Sequence, residues 1–201
     1  SYNHAAAAAE RVREKYPQRK LVVIDSLCGS SGFGLLVDMA ADLRDSGASF
    51  DEVADWVLKN RRCIQHHFFS SDMRFFKRSG RVSGPTAMLG AILNICPIMK
   101  LNEKGSIIAY DKVRGKKNAI RRISDLMAAK AEGGDGYTGK CFISHSNCPE
   151  DAEQMRAALT ERFPRASAIN VYDIGTIIGS HCGPYTVAVY FYGEERRPDE
   201  K

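Results

Sequence analysis

Residues 140–175 constrain the fold more than any other stretch of this chain. KCFISHS is a short apolar run, Pro149 opens a segment whose Ala152, Met155, Leu159 and Phe163 recur at helical period, and SAINVYDIG is a second apolar run. Proline suits the first turn of a helix because it has no N–H to satisfy and its φ is already helical. Strand, helix and strand in this order form a βαβ unit, expected to be parallel and right-handed. A chain built around such a unit is α/β, and open α/β sheets bind their ligands in loops at the carboxyl ends of the strands.

The remaining pattern extends that architecture. Ala5 to Tyr16 reads as a helix closed by Pro17, and KLVVID at 20–25 as a strand buried on both faces. SLCGSSGFG at 26–34 reads as a Gly/Ser loop, and Leu35, Leu36, Met39, Ala40 and Leu43 then repeat at helical period until Ser46-Gly47. Phe50 to Arg62 predicts a helix with Val53, Trp56 and Val57 on one face, Ser49 as N-cap, and Asp51 and Glu52 complementing its positive end. Cys63 to Ser70 predicts a strand. A domain boundary near 64–70 divides the chain into 1–65 and 66–201. Thr86 to Ile95 reads as a helix apolar on nearly every face, followed by Pro97. PIMKLNEKGSIIAYDKV is a hairpin turning on NEKG, Asn118 to Ala131 an amphipathic helix, IIGSHCGPY a tight glycine turn and TVAVYFYG the last strand. The first residue is not methionine and no strand precedes the first helix, which suggests a further segment upstream.

Composition excludes several classes. The 201 residues are 44% hydrophobic and 26% charged, which rules out disorder, collagen and coiled coil. No run approaches the roughly 18–20 apolar residues of a membrane span, and the start lacks the order of a signal peptide, so a cytoplasmic protein is expected. The net charge of +5 is too small and dispersed to imply nucleic acid. Six cysteines, at 28, 63, 96, 141, 148 and 182, form no C-x-x-C pair, so they read as buried free thiols in a reducing compartment. Neither they nor His66-His67 supply zinc spacing.

Four local groups could carry chemistry. The loop 26–34 could present backbone N–H groups to an anion, as a phosphotransferase would need, or be a plain turn; G-x-G-x-x-G and the P-loop pattern are both unmet. In KRSGRVSGP, Arg78 and Arg81 beside an apolar helix must snorkel, pair with a carboxylate or await an anionic ligand. In IIGSHCGPY, adjacent His181 and Cys182 cannot easily face each other, so a thiol enzyme using Cys182 needs another partner; a histidine donating to a ligand suits the geometry better. KVRGKKNAIRR at 112–122 carries six basic residues with few aromatics, which offers docking to an acidic or phosphate-bearing partner rather than stacking for bases.

Taken in order, IDSLCGSSGFGLL, FFKRSGRVSGPTAMLGAILNICPI, KVRGKKNAIRRI and DIGTIIGSHCGPYTVAVYF resemble the DegV family of bacterial fatty-acid-binding proteins, nearly collinearly from residue 1 to about 193. The resemblance implies a two-domain α/β protein, with 1–65 similar to the second half of the amino-terminal domain, about eighty residues short of the usual start, and 66 onward the lipid-binding domain. It implies a carrier rather than an enzyme, without cofactor, that holds one long-chain fatty acid and presents it to a fatty acid kinase for entry into phospholipid synthesis. By that resemblance Arg81 and His181 hold the carboxylate and Ser30 supports them. Met88, Leu89, Ile92, Leu93 and Ile95 would line the tail tunnel, although a core role predicts the same residues. Cys182 and Tyr185 stand where many members have threonine and glycine.

Overall fold

The structure, a computed structural model, describes residues 2–82 and 94–198. In chain order the elements are α1 (Tyr2–Lys15), α2 (Ser30–Asp45), α3 (Phe50–Asn60), β1 (Ile64–Ser70), α4 (Arg74–Arg78), β2 (Ile95–Leu101), β3 (Ile107–Arg114), α5 (Lys116–Lys130), β4 (Lys140–Ser146), α6 (Pro149–Arg162), β5 (Ala168–Asp173), α7 (Thr176–Cys182) and β6 (Thr186–Tyr192). The strands form one sheet in the order β3-β2-β1-β6-β4-β5. Only β4 and β5 are parallel, joined by α6 as the βαβ unit requires; every other pairing is antiparallel. The fold is mixed α/β.

The sheet is covered on both faces, which is why its central strands read as continuous apolar runs. Val187, Val189 and Phe191 of β6 pack with Ile120, Ile123 and Met127 of α5 and with Ala152, Met155 and Leu159 of α6. The alternate residues Ala188 and Tyr190 face the other way, onto Leu35 and Leu36 of α2 and Phe76 of α4. Alternation along one strand therefore assigns each side chain to one of two cores. Ser49 caps α3 as expected, and the cap is a full capping box: Glu52 N–H donates to the Ser49 hydroxyl, and the Glu52 carboxylate accepts from Ser49 N–H at 2.8 Å. Such a cap stabilises by about 1 kcal/mol.

Three expectations are corrected. Residues 20–25 form no strand, because a strand needs a ladder partner and none lies beside them among the described residues. Two of their carbonyls accept from side chains instead: Arg13 donates to Leu21 O at 2.9 Å, and Arg61 to Asp25 O at 2.7 Å. Residues 176–182 are a helix rather than a turn. It stops at Gly183, whose φ of +69° suits glycine and where any Cβ would run into the Phe75 ring. Ile95 opens strand β2 with Pro97 inside it, so the apolar segment expected over 86–95 does not stay helical to Ile95; its residues 86–93 lie outside the described residues.

Candidate ligand-binding site

An apolar cavity lies on the α2 side of the sheet. Strands β1 and β6 pair antiparallel with Phe68 opposite Ala188 and His66 opposite Tyr190, and these four side chains share one face with Thr186. Together they line the cavity, with Phe76 of α4 and with Leu101 and Ile107 from the β2–β3 hairpin. Helix α7 adds Ile178 and Cys182, four residues apart and hence on one helical face, and Ile174 precedes it. The cavity volume is about 110 Å³. Gly29 and Ser30, where the Gly/Ser loop meets α2, complete the wall.

Arg81 and His181 come together beside this cavity. The chain after α4 is pinned to α7, since the Ser79 hydroxyl donates to His181 O at 3.2 Å and Arg81 N–H to Phe76 O at 3.1 Å. The Arg81 guanidinium donates from Nη1 to Ser79 O at 2.7 Å and from Nη2 toward His181 Nε2 at 3.4 Å. A guanidinium only donates, so Nε2 is the acceptor and the imidazole carries its proton on Nδ1. Among the described residues Arg81 makes no ion pair, so of the three options for such a cation, pairing with a carboxylate is not the one taken here.

The Gly/Ser loop is committed to internal bonds. Leu27 N–H donates to the Asp25 carboxylate, Cys28 N–H to the Ser26 hydroxyl, and Gly32 and Phe33 N–H to Gly29 O. Gly29 N–H donates to His66 Nε2 at 3.3 Å, while His66 Nδ1 meets Ile64 O at 3.0 Å. This imidazole is held neutral: burial first, and then the nearby Arg196 cation, push its pKa from 6.5 to about 3. A Cβ on Gly32 would collide with the rings of His66 and Tyr190, so only glycine lets α2 approach the sheet this closely. Ser30, at φ +51°, hydrogen-bonds the buried Tyr190 phenol, as does Ser144. Ser30 thus stands on the cavity wall, and no hydrogen bond among the described residues joins it to Arg81 or His181.

The other predicted residues are placed as follows. Ile95 pairs with Arg114 and borders a separate recess with Cys96 and Lys116. Met88, Leu89, Ile92 and Leu93 lie outside the described residues. Cys182 is 3% exposed, its thiol donates to Gly183 O at 3.4 Å, and burial pushes its pKa above 9.0, so it stays protonated and shielded. Tyr185 has φ +65°, a conformation glycine adopts freely, and the Lys116 ammonium sits 5.5 Å from its ring centroid. No cluster that could hold a metal is found among the described residues, and no described helix is long and apolar enough to cross a membrane. Sequence reading missed His66, Phe68, Phe76, Ile178 and Tyr190 as cavity residues. The signal was available in period two for the strands and period four for Ile174, Ile178 and Cys182.

Fold and cavity define an α/β protein with an apolar chamber beneath a short helix and a cationic group at its edge. The chain belongs to the DegV family, described as uncharacterised, whose profile matches residues 1–194. A DegV domain-containing protein of Clostridium perfringens is 33% identical over 198 residues, 98% of this chain and 67% of the relative's length. Among solved structures, the Streptococcus pneumoniae fatty acid kinase (Fak) B3 protein loaded with linoleic acid matches with a TM-score of 0.85 at 25% identity, over 96% of this chain and 67% of that one. A fatty-acid-binding DegV family protein from Thermus thermophilus matches with a TM-score of 0.78 at 27% identity, over 94% of this chain and 66% of that one.

Proposed function

We propose that this protein binds a long-chain fatty acid, with the carboxylate at Arg81 and His181 and the tail in the cavity beneath α7. The observation that carries the proposal is a cation with no carboxylate partner among the described residues, in hydrogen-bond reach of an imidazole whose chain neighbour Cys182 lines an apolar chamber. A carboxylate placed between them accepts from the guanidinium and, once the proton sits on Nε2, from the imidazole as well. Burying the tail contributes about 0.8 kcal/mol per methylene before ordering costs. The tail gives affinity and the head gives orientation. The likeness to solved fatty-acid-loaded proteins at 25% and 27% identity supports the same assignment.

In this reading the protein is a cytoplasmic carrier that presents its fatty acid to a kinase for entry into phospholipid synthesis, and is not itself an enzyme. The division into residues 1–65 and 66–201 belongs to the same reading. A phosphotransferase role for loop 26–34 is disfavoured because five of its N–H groups are already bonded within the protein. A thiol role for Cys182 is disfavoured by its burial and raised pKa. The basic segment 112–122 is the proposed kinase contact, but not uniformly: Lys116 is paired with Asp151 at 2.5 Å and Arg122 with Asp111 at 2.7 Å. Arg114, Lys117 and Arg121 carry no ion pair among the described residues and are the positions to reverse to Glu. Solvent extraction of the purified protein followed by mass spectrometry tests the binding step. One fatty acid per chain supports a carrier; repeated absence of any fatty acid, including after incubation with one, overturns it.

A further inference from the structure

We infer that Phe75 is the positioning residue that sets the spacing between the Arg81 guanidinium and the His181 imidazole, and with it the preference for an acid head group; the inference rests on the fatty-acid reading above. Arg81 follows closely on the end of α4, and His181 is the penultimate residue of α7. The separation of the two groups is therefore the separation of two short helices. Helix α7 has little else to hold it: Cys182 is its only buried residue, and α4 is the element it chiefly packs against among the described residues. What stands between α4 and α7 decides where the imidazole sits.

The α4 side of that contact is anchored in the core. Phe76 is 2% exposed and stacks on Phe68 with ring centroids 6.1 Å apart. Successive side chains on a helix diverge by about 100°, so with Phe76 committed to the core its neighbour Phe75 is free to face α7. There the Phe75 ring fills the space in front of Gly183, where any Cβ would run into its Cδ2, Cγ and Cβ atoms. The Arg78 guanidinium covers the same ring, 4.9 Å from its centroid. A rigid, half-buried ring against bare glycine backbone is a hard spacer, because close-packed contacts transmit a change of shape rather than absorb it. The Ser79 hydroxyl, 3.2 Å from His181 O, is a second tie between the same two segments. Phe75 is not on the cavity wall, so its effect on a ligand comes through the pair it spaces. Two donors that share one carboxylate must be held to within roughly 0.5 Å.

The test compares hexadecanoic acid with its methyl ester, each competed against a fluorescent fatty acid, on wild-type protein and on Phe75→Ala, Phe75→Leu and Phe75→Tyr. The acid-to-ester affinity ratio is the readout, because a merely structural loss lowers both ligands together and leaves the ratio alone. Phe75→Ala is expected to lower the ratio by about fivefold, out of the tenfold or more that two well-placed donors give a carboxylate, while ester affinity changes by less than about twofold. Phe75→Leu, read in its place if circular dichroism shows Phe75→Ala unfolded, should lower the ratio the same way by less. Phe75→Tyr keeps an aromatic ring against Gly183 and should keep the wild-type ratio. An unchanged ratio in Phe75→Ala and Phe75→Leu, or the same fall in Phe75→Tyr, would overturn the spacer while leaving the carrier reading intact. A wild type that binds neither ligand, or both equally, would overturn both.

Discussion

Arg81 Nη2 lies 3.4 Å from His181 Nε2 although 100 residues separate them in the chain. Both are held by short elements, α4 and α7, which the Ser79 hydroxyl and the Gly183–Phe75 contact lock together. The pair is therefore a product of tertiary packing. Replacing either side chain by alanine should weaken fatty-acid binding about 10- to 100-fold, since each removes a charge-assisted or ligand-directed hydrogen bond. The double variant should lose less than the sum, because the two serve one carboxylate. Displacement titration reads the effect. Thermal melts of the ligand-free variants should stay close to wild type, because Arg81 is exposed and makes no ion pair among the described residues.

Stability should fall as pH drops below about 6.5. His66 and His67 are buried and neutral, each with its pKa pushed from 6.5 to about 3, mainly by burial. Unfolded chains take up these protons from pH 6.5 downward, whereas the folded protein does not until near pH 3. The unfolded state thus binds more protons throughout that window, and stability rises with pH across it, by up to about 1.4 kcal/mol per pH unit for each histidine. Urea unfolding between pH 7.5 and 5 measures the slope. Replacing His67, which stacks on Phe191 and bonds Tyr110 and Gln65, by Gln should reduce it.

Gly32→Ala should destabilise the fold by about 1–3 kcal/mol, the range for forcing an extra methyl into a packed site. The added carbon meets His66 and Tyr190, both of which are fixed. The same change at Gly29, which has open space around it, should cost less in a chemical unfolding titration.

Much of the fold is written in local pattern. Pro149 and the 152, 155, 159, 163 spacing mark α6; Ser49 with Glu52 marks the start of α3; Asn102 to Gly105 marks the hairpin turn, where Ser106 N–H donates to the Asn102 side chain at 2.9 Å. Residues 20–25 misled because an apolar run does not specify a ladder partner; here the segment is only partly covered, with Val22 46% exposed, and Leu21 O and Asp25 O accept from Arg13 and Arg61. At α7 the glycines concealed a helix whose i, i+4 apolar face becomes apparent only with a cavity to fill. Arg81 and His181 were legible through motif resemblance; for His66 and Tyr190 period two gives the strand face of each, but nothing local says that the two strands bring those rings into register.

Arg196 should be the strongest single polar determinant of stability. It is 6% exposed and donates to four backbone carbonyls, those of Leu27, Arg61, Arg62 and Asn102, tying the Gly/Ser loop and the hairpin turn to the end of the sheet. Arg196→Met removes four hydrogen bonds from a charged donor; the carbonyls of Arg61, Arg62 and Asn102 keep another donor, while Leu27 O has no other among the described residues. A loss of about 3 kcal/mol, seen as a Tm lower by roughly 6–12 °C in differential scanning calorimetry, is expected.

The most direct measurement compares a long-chain fatty acid with its methyl ester by displacement titration, on wild type and on the Arg81→Ala, His181→Ala double variant. Ester and acid share a tail and differ at the head, so the expected result is a wild-type preference for the acid of about 10-fold or more that collapses toward unity in the double variant. Equal binding of acid and ester by the wild type, or an undiminished preference for the acid in the double variant, would contradict a carboxylate held by Arg81 and His181.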